Sequence, residues 1–313
     1  MQKIDHCFNI KKNQQASKVK VKMRRAVFIG SILILPIINF LIFWGYVHID
    51  AFFLAFQKED YSTGNLQLIW TLDNFKKVFS EFFVTTGLTN ALINTLTFYF
   101  FNLFITMPVG LVLAYFIFKK ILFYKVFRFI IYLPSIIMAS ALVLLFKSTI
   151  MAGGPYEAIL RMAGKEFVNP LAGEQLMPLL LLYNFTFGFG GSLILWGGAM
   201  NSIDIEVLEA GYLDGCSWFQ ELIFLIIPMI WPTMSTMLIL GFSGILGASG
   251  PILAFTKGEG NTRTLAYILY CFANGQGGVA QDIYYASALG LLMTIVTLPL
   301  VIVLRRLVNK MGD

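Results

Sequence analysis

Six runs free of Asp, Glu, Lys and Arg punctuate the chain, at 26–47, 82–118, 129–146, 175–203, 222–256 and 283–304. Each meets or exceeds the roughly 18–20 residues that cross about 30 Å of hydrocarbon at 1.5 Å per residue. The pattern predicts six transmembrane helices, near 26–47, 92–117, 127–147, 177–201, 228–254 and 283–304, and hence an all-α integral membrane protein. The surplus length at 82–118 and 222–256 reads as an interfacial approach to a span. Between the first two helices, Leu72, Phe75, Phe79 and Phe82 recur at helical spacing around Lys76, Lys77 and Glu81. That stripe predicts a short amphipathic helix at the outer interface. Asn274-Gly275-Gln276-Gly277-Gly278, between helices 5 and 6, reads as a flexible turn.

Composition agrees with this pattern. The 313 residues are 58% hydrophobic and 13% charged, with a mean hydropathy of +0.75. One globular core could not hide so much apolar surface, and 30 Phe are the reverse of a disordered composition. The net charge of +6 requires no nucleic acid, because bases flank membrane spans on the cytoplasmic side. With the N-terminus inside, 15 Lys and Arg fall on the cytoplasmic side and 8 on the outer side. Both termini are therefore expected to be cytoplasmic. The first apolar stretch runs on into Phe40, Phe43 and Trp44, longer and bulkier than a cleaved signal. It reads as an anchor behind a basic tail whose Lys18, Lys20, Lys22, Arg24 and Arg25 set orientation and can meet anionic lipid.

Familiar chemistry is missing. Cys7, Cys216 and Cys271 have no paired spacing, so neither disulfides nor zinc are expected. Gly275-x-Gly277-x-x-Ala280 lacks the strand that gives a dinucleotide fingerprint its meaning, and Gly164-Lys165 is followed by Glu166 rather than a hydroxyl. His6 and His48 have no second ligand nearby. No catalytic set, metal site or cofactor site emerges. The six runs also hold no ionisable group of the kind that ion-coupled carriers use at membrane depth.

One loop departs from the charge rule. From 201 to 227 there are five acids, Asp204, Glu206, Glu209, Asp214 and Glu221, and no base, on the side that should be basic. Ile205, Leu208 and Tyr212 are spaced to share one helical face. Gly215 permits a sharp turn, Ser217-Trp218-Phe219-Gln220 fits a capping box opening a second short helix, and Pro228 and Pro232 end or kink it. Composition alone leaves a docking element and a solvated loop both open.

Glu209-Ala210-Gly211-x-x-Asp214-Gly215, then nine residues to Leu225, then Ile227-Pro228, resembles the cytoplasmic signature of ABC importer permeases. That signature reads Glu-Ala-Ala, three residues, Gly, nine residues, Ile-x-Leu-Pro. Gly211 stands where it has Ala, Leu225 where it has Ile, and Ile227 where it has Leu. Gly211 is expected to soften its helix by about 1 kcal/mol relative to Ala. Asn74-Phe75, Asn94-Thr95 and Leu133-Pro134 extend the likeness to a maltose-permease-like subunit of carbohydrate importers.

The resemblance implies a core over 88–304 with its coupling loop at 202–227, flanked by a tail at 1–25, a first helix and outer loop at 26–87, and a tail at 305–313. It implies a bacterial or archaeal inner-membrane subunit without enzymatic activity. The implied partners are a second permease, two cytoplasmic ATPases that bind ATP and Mg, and an extracytoplasmic solute-binding protein. Glu209 would meet a basic group of the ATPase, Ala210 and Gly211 would allow close approach, and Gly215 would set the angle between the helices. Losing a buried Glu209 contact would then cost on the order of 2–5 kcal/mol.

For the cargo, Tyr183, Asn184, Gly188 and Gly191 fall near one face of helix 4, with Phe187 beside them. An amide among aromatic rings and bare backbone suits sugar hydroxyls and a sugar face. Ser243 in helix 5 is a further candidate. Gly and Asn also serve plain helix packing. The competing function class is an ion- or proton-coupled secondary transporter.

Overall fold

The computed structural model describes residues 24–25, 27–60, 67–84, 86–173, 176–248 and 250–312. The basic tail at 1–23, with His6 and Cys7, lies outside the described residues. The chain forms two compact units, 1–70 and 71–313.

In the first unit, α1 (Val27–Ala55) is apolar on every side, as expected of a helix solvated by lipid or by other helices. A π-helical turn over Phe40–Tyr46 interrupts it. There Phe40 stacks on Trp44 at 4.7 Å, and Trp44 sits 4.4 Å from His48. The helix ends in a small antiparallel pair, β1 (Gln57–Asp60) with β2 (Gln67–Trp70). This pair departs from an all-α reading: four-residue polar strands leave too little pattern to detect.

The second unit opens with α2 (Asp73–Val84), the expected amphipathic helix. Its buried positions are Asn74 and Val78, whereas Leu72 and Phe79 are more than half exposed. The predicted stripe is therefore rotated, because the helix packs along α12 (Ile283–Met311). Lys77 pairs with Asp282 at 3.2 Å, and the Tyr285 hydroxyl donates to Glu81.

The remaining long helices are α3 (Gly87–Phe118), α7 (Met177–Asn201) and α9 (Trp218–Ser243). With α1 and α12, five described helices are long and apolar enough to cross a membrane. The span expected at 127–147 is broken: α4 (Tyr124–Ile136) is followed by α5 (Ala139–Ile150), the segment Ala139–Met162 leaves α4 at 109°, and counting the bent pair as one span brings the number to six. Pro134 lies in the last turn of α4, and Ile137 and Met138 follow in extended conformation. The ring removes a backbone donor where the helix must end. A short α6 (Pro155–Met162) follows.

The fifth span also shifts from its expected 228–254. A capping box at Ser217 and Gln220 starts α9 ten residues earlier. Pro228, expected to break the helix, is accommodated after a π-helical stretch at Glu221–Ile226. Gly244 ends the helix, and a 3-10 turn at Ile245–Gly247 and a short α10 (Ile252–Phe255) come before α11 (Leu265–Asn274).

Two buried anchors hold the spans in register. Asn94 donates to the carbonyls of Asn261 and Arg263 at 2.8 and 2.9 Å, and Thr95 accepts the Leu265 N–H at 3.0 Å. At the other end of α3, Lys119 donates to both carboxylate oxygens of Glu221 at 2.8 and 3.0 Å. The Tyr115 hydroxyl stands 3.4 Å from the same group. Glu221 is 7% exposed, so it depends on these partners. Removing one member of a buried pair costs about 3–5 kcal/mol, and partial exposure of Lys119 lowers that toward about 2 kcal/mol. Lys119→Met should therefore lower the thermal midpoint of the detergent-purified protein. Lys119→Met with Glu221→Leu should recover most of the loss, and a double variant as unstable as the single one would exonerate the pair.

Candidate functional site

Two regions gather the residues singled out by sequence. The first is the loop between α7 and α9. Asp204 is extended and starts α8 (Ile205–Leu213), which ends at Asp214. Gly215 then takes φ +76°, a left-handed conformation that favours glycine. Ser217 caps the next helix: its hydroxyl accepts from the Gln220 N–H, and the Gln220 side chain accepts from the Ser217 N–H.

The loop folds back on itself. Gly211 is buried, and a Cβ there would come within 2.5 Å of the Leu225 Cδ1. The two departures from the signature thus touch: the missing methyl on α8 leaves room for the longer arm of Leu225. Asp204, Glu206, Glu209, Ala210 and Asp214 are exposed. Glu221 does not join them, because Lys119 holds it inside, so the outward acidic set is four rather than five. Large apolar side chains share this surface, with Ile205 68%, Tyr212 80% and Leu213 83% exposed. A groove of about 790 Å³ runs among Phe118, Lys120, Ile205, Leu208, Glu209 and Tyr212. Exposed apolar patches rimmed by polar groups occur at protein, membrane and ligand contacts alike.

The second region is a cavity of about 400 Å³ among α3, α7 and α9, lined by Tyr99, Asn102, Thr106, Asn184, Gly188 and Ser192 along with apolar groups. Each bordering helix loses regular geometry there. A π-helical turn occupies Asn102–Thr106 in α3, α7 breaks at Gly188–Phe189, and α9 ends at Gly244. At Gly188 a side chain would strike the Asn184 carbonyl. Of the cargo candidates, Asn184 and Gly188 line this cavity. Tyr183 and Phe187 instead join Phe146 and Phe255 in an aromatic cluster, with Tyr183 5.4, 5.1 and 5.7 Å from the rings of Phe146, Phe187 and Phe255. The Ser243 hydroxyl donates to the Leu240 carbonyl at 2.6 Å and borders a separate groove with Thr297. Tyr99, Asn102 and Thr106 were not singled out by sequence. Their signal was a Tyr, an Asn and a Thr inside an otherwise apolar run, spaced 3 and 4 apart. The lining holds no Asp, Glu, Lys or Arg, and no cluster of described residues could hold a metal.

A family model described as "Binding-protein-dependent transport system inner membrane component" matches residues 106–312. Among curated proteins, the polygalacturonan/rhamnogalacturonan transport system permease protein YteP of Bacillus subtilis is 26% identical over 309 residues, covering 96% of this chain and 94% of that one. The arabinooligosaccharides transport system permease protein AraP of the same organism is 25% identical over 271 residues, covering 84% and 82%. The maltose/maltodextrin permease MalF of Vibrio vulnificus is 24% identical over 247 residues, and the match spans 74% of this chain but 45% of that protein. Among solved structures, a bacterial ABC transporter importing the acidic polysaccharide alginate shares the fold, with a TM-score of 0.77, 21% identity and 95% of this chain covered.

The Gly211–Leu225 contact is testable by itself. Gly211→Ala should destabilise α8 by about 1 kcal/mol, since overpacking of about 1–3 kcal/mol exceeds the gain in helix propensity. Leu225→Val in the same chain should restore the loss. A double-mutant cycle in thermal unfolding reads the coupling, and additive effects would show that the two side chains do not compete for space.

Proposed function

The chain belongs to the family of binding-protein-dependent transport system inner membrane components, and from that premise we propose that it forms one half of the membrane path of an ATP-driven importer of neutral oligosaccharides. The observation that carries this reading is the rigid, outward-facing loop. It offers exposed Glu209 beside Tyr212 and Leu213 on a helix pinned through Gly211 and Glu221 to the spans. Such an element passes motion from a docked subunit to the helices that border the cavity.

In this reading the loop at 202–227 faces the cytoplasm, as do both termini, and belongs to a core at 88–304. A basic group on a cytoplasmic ATPase pairs with Glu209, and Ala210 and Gly211 keep that helix slim at the contact. The ATPases bind ATP and Mg and do the hydrolysis, while this chain supplies no catalytic group. A second, different permease completes the path, and a solute-binding protein outside delivers the cargo. A sugar as cargo is supported by amides and hydroxyls in a cavity without charge. The glycans that YteP, AraP and MalF are named for support a saccharide as cargo; those of AraP and MalF are neutral, whereas polygalacturonan carries carboxylates.

Three measurements test this. Glu209→Lys should leave the protein inserted but abolish copurification with its ATPase, because it inverts the charge at the contact. Retained ATPase binding and normal uptake would remove Glu209 from coupling. Uptake should stop when ATP is depleted and survive collapse of the proton gradient, since no ionisable relay lines the cavity. Uptake that follows the gradient with ATP exhausted would favour a secondary transporter instead. Asn184→Leu should impair uptake while the assembled complex remains intact, and normal transport would make Asn184 a packing residue.

A further inference from the structure

Results

Sequence analysis

Six runs free of Asp, Glu, Lys and Arg punctuate the chain, at 26–47, 82–118, 129–146, 175–203, 222–256 and 283–304. Each meets or exceeds the roughly 18–20 residues that cross about 30 Å of hydrocarbon at 1.5 Å per residue. The pattern predicts six transmembrane helices, near 26–47, 92–117, 127–147, 177–201, 228–254 and 283–304, and hence an all-α integral membrane protein. The surplus length at 82–118 and 222–256 reads as an interfacial approach to a span. Between the first two helices, Leu72, Phe75, Phe79 and Phe82 recur at helical spacing around Lys76, Lys77 and Glu81. That stripe predicts a short amphipathic helix at the outer interface. Asn274-Gly275-Gln276-Gly277-Gly278, between helices 5 and 6, reads as a flexible turn.

Composition agrees with this pattern. The 313 residues are 58% hydrophobic and 13% charged, with a mean hydropathy of +0.75. One globular core could not hide so much apolar surface, and 30 Phe are the reverse of a disordered composition. The net charge of +6 requires no nucleic acid, because bases flank membrane spans on the cytoplasmic side. With the N-terminus inside, 15 Lys and Arg fall on the cytoplasmic side and 8 on the outer side. Both termini are therefore expected to be cytoplasmic. The first apolar stretch runs on into Phe40, Phe43 and Trp44, longer and bulkier than a cleaved signal. It reads as an anchor behind a basic tail whose Lys18, Lys20, Lys22, Arg24 and Arg25 set orientation and can meet anionic membrane lipid.

Familiar chemistry is missing. Cys7, Cys216 and Cys271 have no paired spacing, so neither disulfides nor zinc are expected. Gly275-x-Gly277-x-x-Ala280 lacks the strand that gives a dinucleotide fingerprint its meaning, and Gly164-Lys165 is followed by Glu166 rather than a hydroxyl. His6 and His48 have no second ligand nearby. No catalytic set, metal site or cofactor site emerges. The six runs also hold no ionisable group of the kind that ion-coupled carriers use at membrane depth.

One loop departs from the charge rule. From 201 to 227 there are five acids, Asp204, Glu206, Glu209, Asp214 and Glu221, and no base, on the side that should be basic. Ile205, Leu208 and Tyr212 are spaced to share one helical face. Gly215 permits a sharp turn, Ser217-Trp218-Phe219-Gln220 fits a capping box opening a second short helix, and Pro228 and Pro232 end or kink it. Composition alone leaves a docking element and a solvated loop both open.

Glu209-Ala210-Gly211-x-x-Asp214-Gly215, then nine residues to Leu225, then Ile227-Pro228, resembles the cytoplasmic signature of ABC importer permeases. That signature reads Glu-Ala-Ala, three residues, Gly, nine residues, Ile-x-Leu-Pro. Gly211 stands where it has Ala, Leu225 where it has Ile, and Ile227 where it has Leu. Gly211 is expected to soften its helix by about 1 kcal/mol relative to Ala. Asn74-Phe75, Asn94-Thr95 and Leu133-Pro134 extend the likeness to a maltose-permease-like subunit of carbohydrate importers.

The resemblance implies a core over 88–304 with its coupling loop at 202–227, between helices 4 and 5. Around it lie a tail at 1–25, a first helix and outer loop at 26–87, and a tail at 305–313. A bacterial or archaeal inner-membrane subunit without enzymatic activity is implied. The implied partners are a second permease in a heterodimer, two cytoplasmic ATPases that bind ATP and Mg, and an extracytoplasmic solute-binding protein. Glu209 would meet a basic group of the ATPase, Ala210 and Gly211 would allow close approach, and Gly215 would set the angle between the helices. Losing a buried Glu209 contact would then cost on the order of 2–5 kcal/mol.

For the cargo, Tyr183, Asn184, Gly188 and Gly191 fall near one face of helix 4, with Phe187 beside them. An amide among aromatic rings and bare backbone suits sugar hydroxyls and a sugar face. Ser243 in helix 5 is a further candidate. Gly and Asn also serve plain helix packing. The competing function class is an ion- or proton-coupled secondary transporter.

Overall fold

The computed structural model describes residues 24–25, 27–60, 67–84, 86–173, 176–248 and 250–312. The basic tail at 1–23, with His6 and Cys7, lies outside the described residues. The chain forms two compact units, 1–70 and 71–313.

In the first unit, α1 (Val27–Ala55) is uniformly apolar over most of its length, as expected of a helix solvated by lipid or by other helices. A π-helical turn over Phe40–Tyr46 interrupts it. There Phe40 stacks on Trp44 at 4.7 Å, and Trp44 sits 4.4 Å from His48. The helix leads into a small antiparallel pair, β1 (Gln57–Asp60) with β2 (Gln67–Trp70). This pair departs from a strictly all-α reading, because four-residue strands leave too little pattern to detect.

The second unit opens with α2 (Asp73–Val84), the expected amphipathic helix. Its buried positions include Asn74 and Val78, whereas Leu72 and Phe79 are more than half exposed. The predicted stripe is therefore rotated, because the helix packs along α12 (Ile283–Met311). Lys77 pairs with Asp282 at 3.2 Å, and the Tyr285 hydroxyl donates to Glu81.

The remaining long helices are α3 (Gly87–Phe118), α7 (Met177–Asn201) and α9 (Trp218–Ser243). With α1 and α12, five described helices are long and apolar enough to cross a membrane. The span expected at 127–147 is broken: α4 (Tyr124–Ile136) is followed by α5 (Ala139–Ile150), the segment Ala139–Met162 leaves α4 at 109°, and counting the bent pair as one span brings the number to six. Pro134 lies in the last turn of α4, and Ile137 and Met138 follow in extended conformation. The proline ring removes a backbone donor where the helix ends. A short α6 (Pro155–Met162) follows.

The fifth span also shifts from its expected 228–254. A capping box at Ser217 and Gln220 starts its helix, α9, well before residue 228. Pro228 does not break it, because a π-helical stretch at Glu221–Ile226 precedes the proline and absorbs the missing donor. Gly244 ends the helix, and a 3-10 turn at Ile245–Gly247 and a short α10 (Ile252–Phe255) come before α11 (Leu265–Asn274). The buried side of α8 (Ile205–Leu213), in the loop before α9, rests on the same π-helical stretch.

Two buried anchors hold the second unit in register. Asn94 donates to the carbonyls of Asn261 and Arg263 at 2.8 and 2.9 Å, and Thr95 accepts the Leu265 N–H at 3.0 Å. At the other end of α3, Lys119 donates to both carboxylate oxygens of Glu221 at 2.8 and 3.0 Å. The Tyr115 hydroxyl stands 3.4 Å from the same group. Glu221 is only 7% exposed, so it depends on these partners. Removing one member of a buried pair costs about 3–5 kcal/mol, and the partial exposure of Lys119 lowers that toward about 2 kcal/mol. Lys119→Met should therefore lower the thermal midpoint of the detergent-purified protein. Lys119→Met with Glu221→Leu should recover most of the loss, and a double variant as unstable as the single one would exonerate the pair.

Candidate functional site

Two regions gather the residues singled out by sequence. The first is the loop between α7 and α9. Asp204 is extended and starts α8, which ends at Asp214. Gly215 then takes φ +76°, a left-handed conformation that favours glycine. Ser217 caps the next helix: its hydroxyl accepts from the Gln220 N–H, and the Gln220 side chain accepts from the Ser217 N–H.

The loop folds back on itself. Gly211 is buried, and a Cβ there would come within 2.5 Å of the Leu225 Cδ1. Two departures from the signature thus touch: the missing methyl on α8 leaves room for the arm of Leu225. Asp204, Glu206, Glu209, Ala210 and Asp214 are exposed. Glu221 does not join them, because Lys119 holds it inside, so the outward acidic set is four rather than five. Large apolar side chains share this surface, with Ile205 68%, Tyr212 80% and Leu213 83% exposed. A groove of about 790 Å³ runs among Phe118, Lys120, Ile205, Leu208, Glu209 and Tyr212. Exposed apolar patches rimmed by polar groups occur at protein, membrane and ligand contacts alike.

The second region is a cavity of about 400 Å³ among α3, α7 and α9, lined by Tyr99, Asn102, Thr106, Asn184, Gly188 and Ser192 along with apolar groups. Each bordering helix loses regular geometry there. A π-helical turn occupies Asn102–Thr106 in α3, α7 breaks at Gly188 and Phe189, and α9 ends at Gly244. At Gly188 a side chain would strike the Asn184 carbonyl.

Of the cargo candidates, Asn184 and Gly188 line this cavity. Tyr183 instead lies 5.4, 5.1 and 5.7 Å from the rings of Phe146, Phe187 and Phe255, in an aromatic cluster that also takes in Phe187. The Ser243 hydroxyl donates to the Leu240 carbonyl at 2.6 Å and borders a separate groove with Thr297. Sequence alone does not single out Tyr99, Asn102 and Thr106. Their signal is a Tyr, an Asn and a Thr inside an apolar run, at the three- and four-residue spacing of one helical face. The cavity lining holds no Asp, Glu, Lys or Arg, and no cluster of described residues could hold a metal.

A family model described as "Binding-protein-dependent transport system inner membrane component" matches residues 106–312. Among curated proteins, the polygalacturonan/rhamnogalacturonan transport system permease protein YteP of Bacillus subtilis is 26% identical over 309 residues, covering 96% of this chain and 94% of that one. The arabinooligosaccharides transport system permease protein AraP of the same organism is 25% identical over 271 residues, covering 84% and 82%. The maltose/maltodextrin permease MalF of Vibrio vulnificus is 24% identical over 247 residues, and the match spans 74% of this chain but 45% of that protein. A solved bacterial ABC transporter involved in import of the acidic polysaccharide alginate shares the fold, with a TM-score of 0.77, 21% identity, and 95% of this chain and 100% of that one covered.

The Gly211–Leu225 contact is testable by itself. Gly211→Ala should destabilise the loop by about 1 kcal/mol, since overpacking of about 1–3 kcal/mol exceeds the gain in helix propensity. Leu225→Val in the same chain should restore the loss. A double-mutant cycle in thermal unfolding reads the coupling, and additive effects would show that the two side chains do not compete for space.

Proposed function

The chain belongs to the family of binding-protein-dependent transport system inner membrane components, and from that premise we propose that it forms one half of the membrane path of an ATP-driven importer of neutral oligosaccharides. The observation that carries this reading is the folded, outward-facing loop. It offers exposed Glu209 beside Tyr212 and Leu213, and it is pinned to the spans through Gly211 and Glu221. Such an element can pass motion from a docked subunit to the helices that border the cavity.

In this reading the loop at 202–227 faces the cytoplasm, as do both termini, and belongs to a core at 88–304. A basic group on a cytoplasmic ATPase pairs with Glu209, while Ala210 and Gly211 keep that helix slim at the contact. The ATPases bind ATP and Mg and carry out hydrolysis; this chain supplies no catalytic group. A second, different permease completes the path, and a solute-binding protein outside delivers the cargo. A sugar as cargo is supported by amides and hydroxyls in a cavity without charge. The glycans that YteP, AraP and MalF are named for support a saccharide as cargo; those of AraP and MalF are neutral, whereas polygalacturonan carries carboxylates.

Glu209→Lys should leave the protein inserted but abolish copurification with its ATPase, because it inverts the charge at the contact. Retained ATPase binding with normal uptake would remove Glu209 from coupling. Uptake should stop when ATP is depleted and survive collapse of the proton gradient, since no ionisable relay lines the cavity. Uptake that follows the gradient with ATP exhausted would make the protein a secondary transporter instead.

A further inference from the structure

A further cavity, of about 280 Å³, lies between α3, α4 and α7 and has no part in the reading above. Its wall is graded. Ala114, Ile117 and Leu193 line it with apolar groups, whereas Lys120, Arg128 and Asn201 line it with polar ones. Lys120 lies just beyond the end of one charge-free run, and Arg128 immediately precedes the next. Both bases therefore stand where apolar spans give way to the membrane interface.

The positive charge in this cavity is uncompensated. Its lining holds no Asp or Glu. Lys119, the neighbour of Lys120, turns away to Glu221, but Lys120 and Arg128 form no ion pair among the described residues. Arg128 instead lies over the Tyr132 ring, 5.5 Å from its centre. Tyr124, Arg128 and Tyr132 are four apart, so α4 sets a guanidinium between two phenols on one face. The turn that delivers Lys120 is unusual as well. Lys120 and Phe123 take φ +52° and +60°, a conformation that residues other than glycine adopt rarely and that recurs at ligand clamps. Beside the cavity Leu122, Phe123, Phe129 and Ile130 are exposed.

A soluble anion would use the two bases but neither the apolar floor nor the bare side chains beside it. A zwitterionic headgroup would bring an ammonium toward two unpaired cations. A guanidinium grips phosphate oxygens with a planar fork, and an ammonium meets them as a point charge. Basic pockets between membrane helices hold lipid headgroups in this way.

We propose that this cavity seats the phosphate of an anionic phospholipid between Lys120 and Arg128, with the acyl chains lying along the exposed apolar side of α4. Phe118, Lys120 and Asn201 also border the groove of the loop between α7 and α9, so the headgroup sits beside the docking surface. The proposal needs the spans to lie in a bilayer and is independent of the cargo. In the assembled complex, reconstituted in phosphatidylcholine, a trace of photoreactive phosphatidylglycerol should label α4 near Arg128. Lys120→Gln with Arg128→Gln should cut that labelling about thirtyfold, the effect of two bases near an anionic lipid. Lys125→Gln, in the same turn but outside the cavity lining, should change it less than about twofold. The exchange Lys120→Arg with Arg128→Lys keeps the charge and should keep most of the labelling. Undiminished labelling in the double glutamine variant, or an equal loss in Lys125→Gln, would reduce the site to general surface charge. A loss in the exchange as large as in the double glutamine variant would trace the effect to structural damage and overturn the site. Photoreactive phosphatidylcholine labelling α4 as strongly would overturn the choice of an anionic lipid. Displacement by millimolar inorganic phosphate would make this a site for soluble anions, and no labelling of the wild type would mean that another subunit covers this face.

Discussion

Inside a bilayer every backbone N–H and C=O must find its partner within the chain, because hydrocarbon offers none. Long helices are the direct answer, and departures from them survive only where protein or a polar cavity takes up the slack. In the second unit three such departures converge: the π turn of α3, the break at Gly188 in α7, and the end of α9 at Gly244. All three border one cavity. The polar interior of the fold and the irregular backbone are thus two aspects of one arrangement, since each irregular turn frees or redirects groups that regular helices would consume.

The loop obeys a different economy. Outside hydrocarbon its backbone can be solvated, so its shape has to come from side chains. Glu221 is drawn inward by Lys119 and Tyr115, Gly211 lets α8 lie against Leu225, and Gly215 turns the chain between them. Turning one acid inward leaves Glu206, Glu209 and their neighbours facing out on a platform fixed to the ends of α3 and α9. Charge on that platform is available to a partner, while charge at its root serves only the fold.

Much of this was legible in the chain itself, for identifiable reasons. Apolar runs of twenty residues carry a redundant signal that single substitutions do not blur. Gly215 and the Ser217–Gln220 box each have a local mechanism, and both take the expected form. The π turns were not legible, because no residue type specifies a bond to the fifth residue back. The 109° bend could not be told from an ordinary proline kink at Pro134. Glu221 counted as one more exposed acid because its partner lies 102 residues away. The face of α7 holding Tyr183 and Asn184 was readable as a face, yet periodicity does not say which neighbour it meets. Tyr183 turned to an aromatic cluster and Asn184 to the cavity.

The nesting of Leu225 against Gly211 has a consequence for how such loops diverge. Where two positions share one small volume, a methyl added on one side must be withdrawn on the other. Either change made first passes through a poorly packed intermediate, so descendants that keep the loop working are expected to move in paired steps. A lineage that has made such a pair looks doubly aberrant when its residues are compared with a motif one column at a time. Judged by the contact the two residues share, its two departures are one.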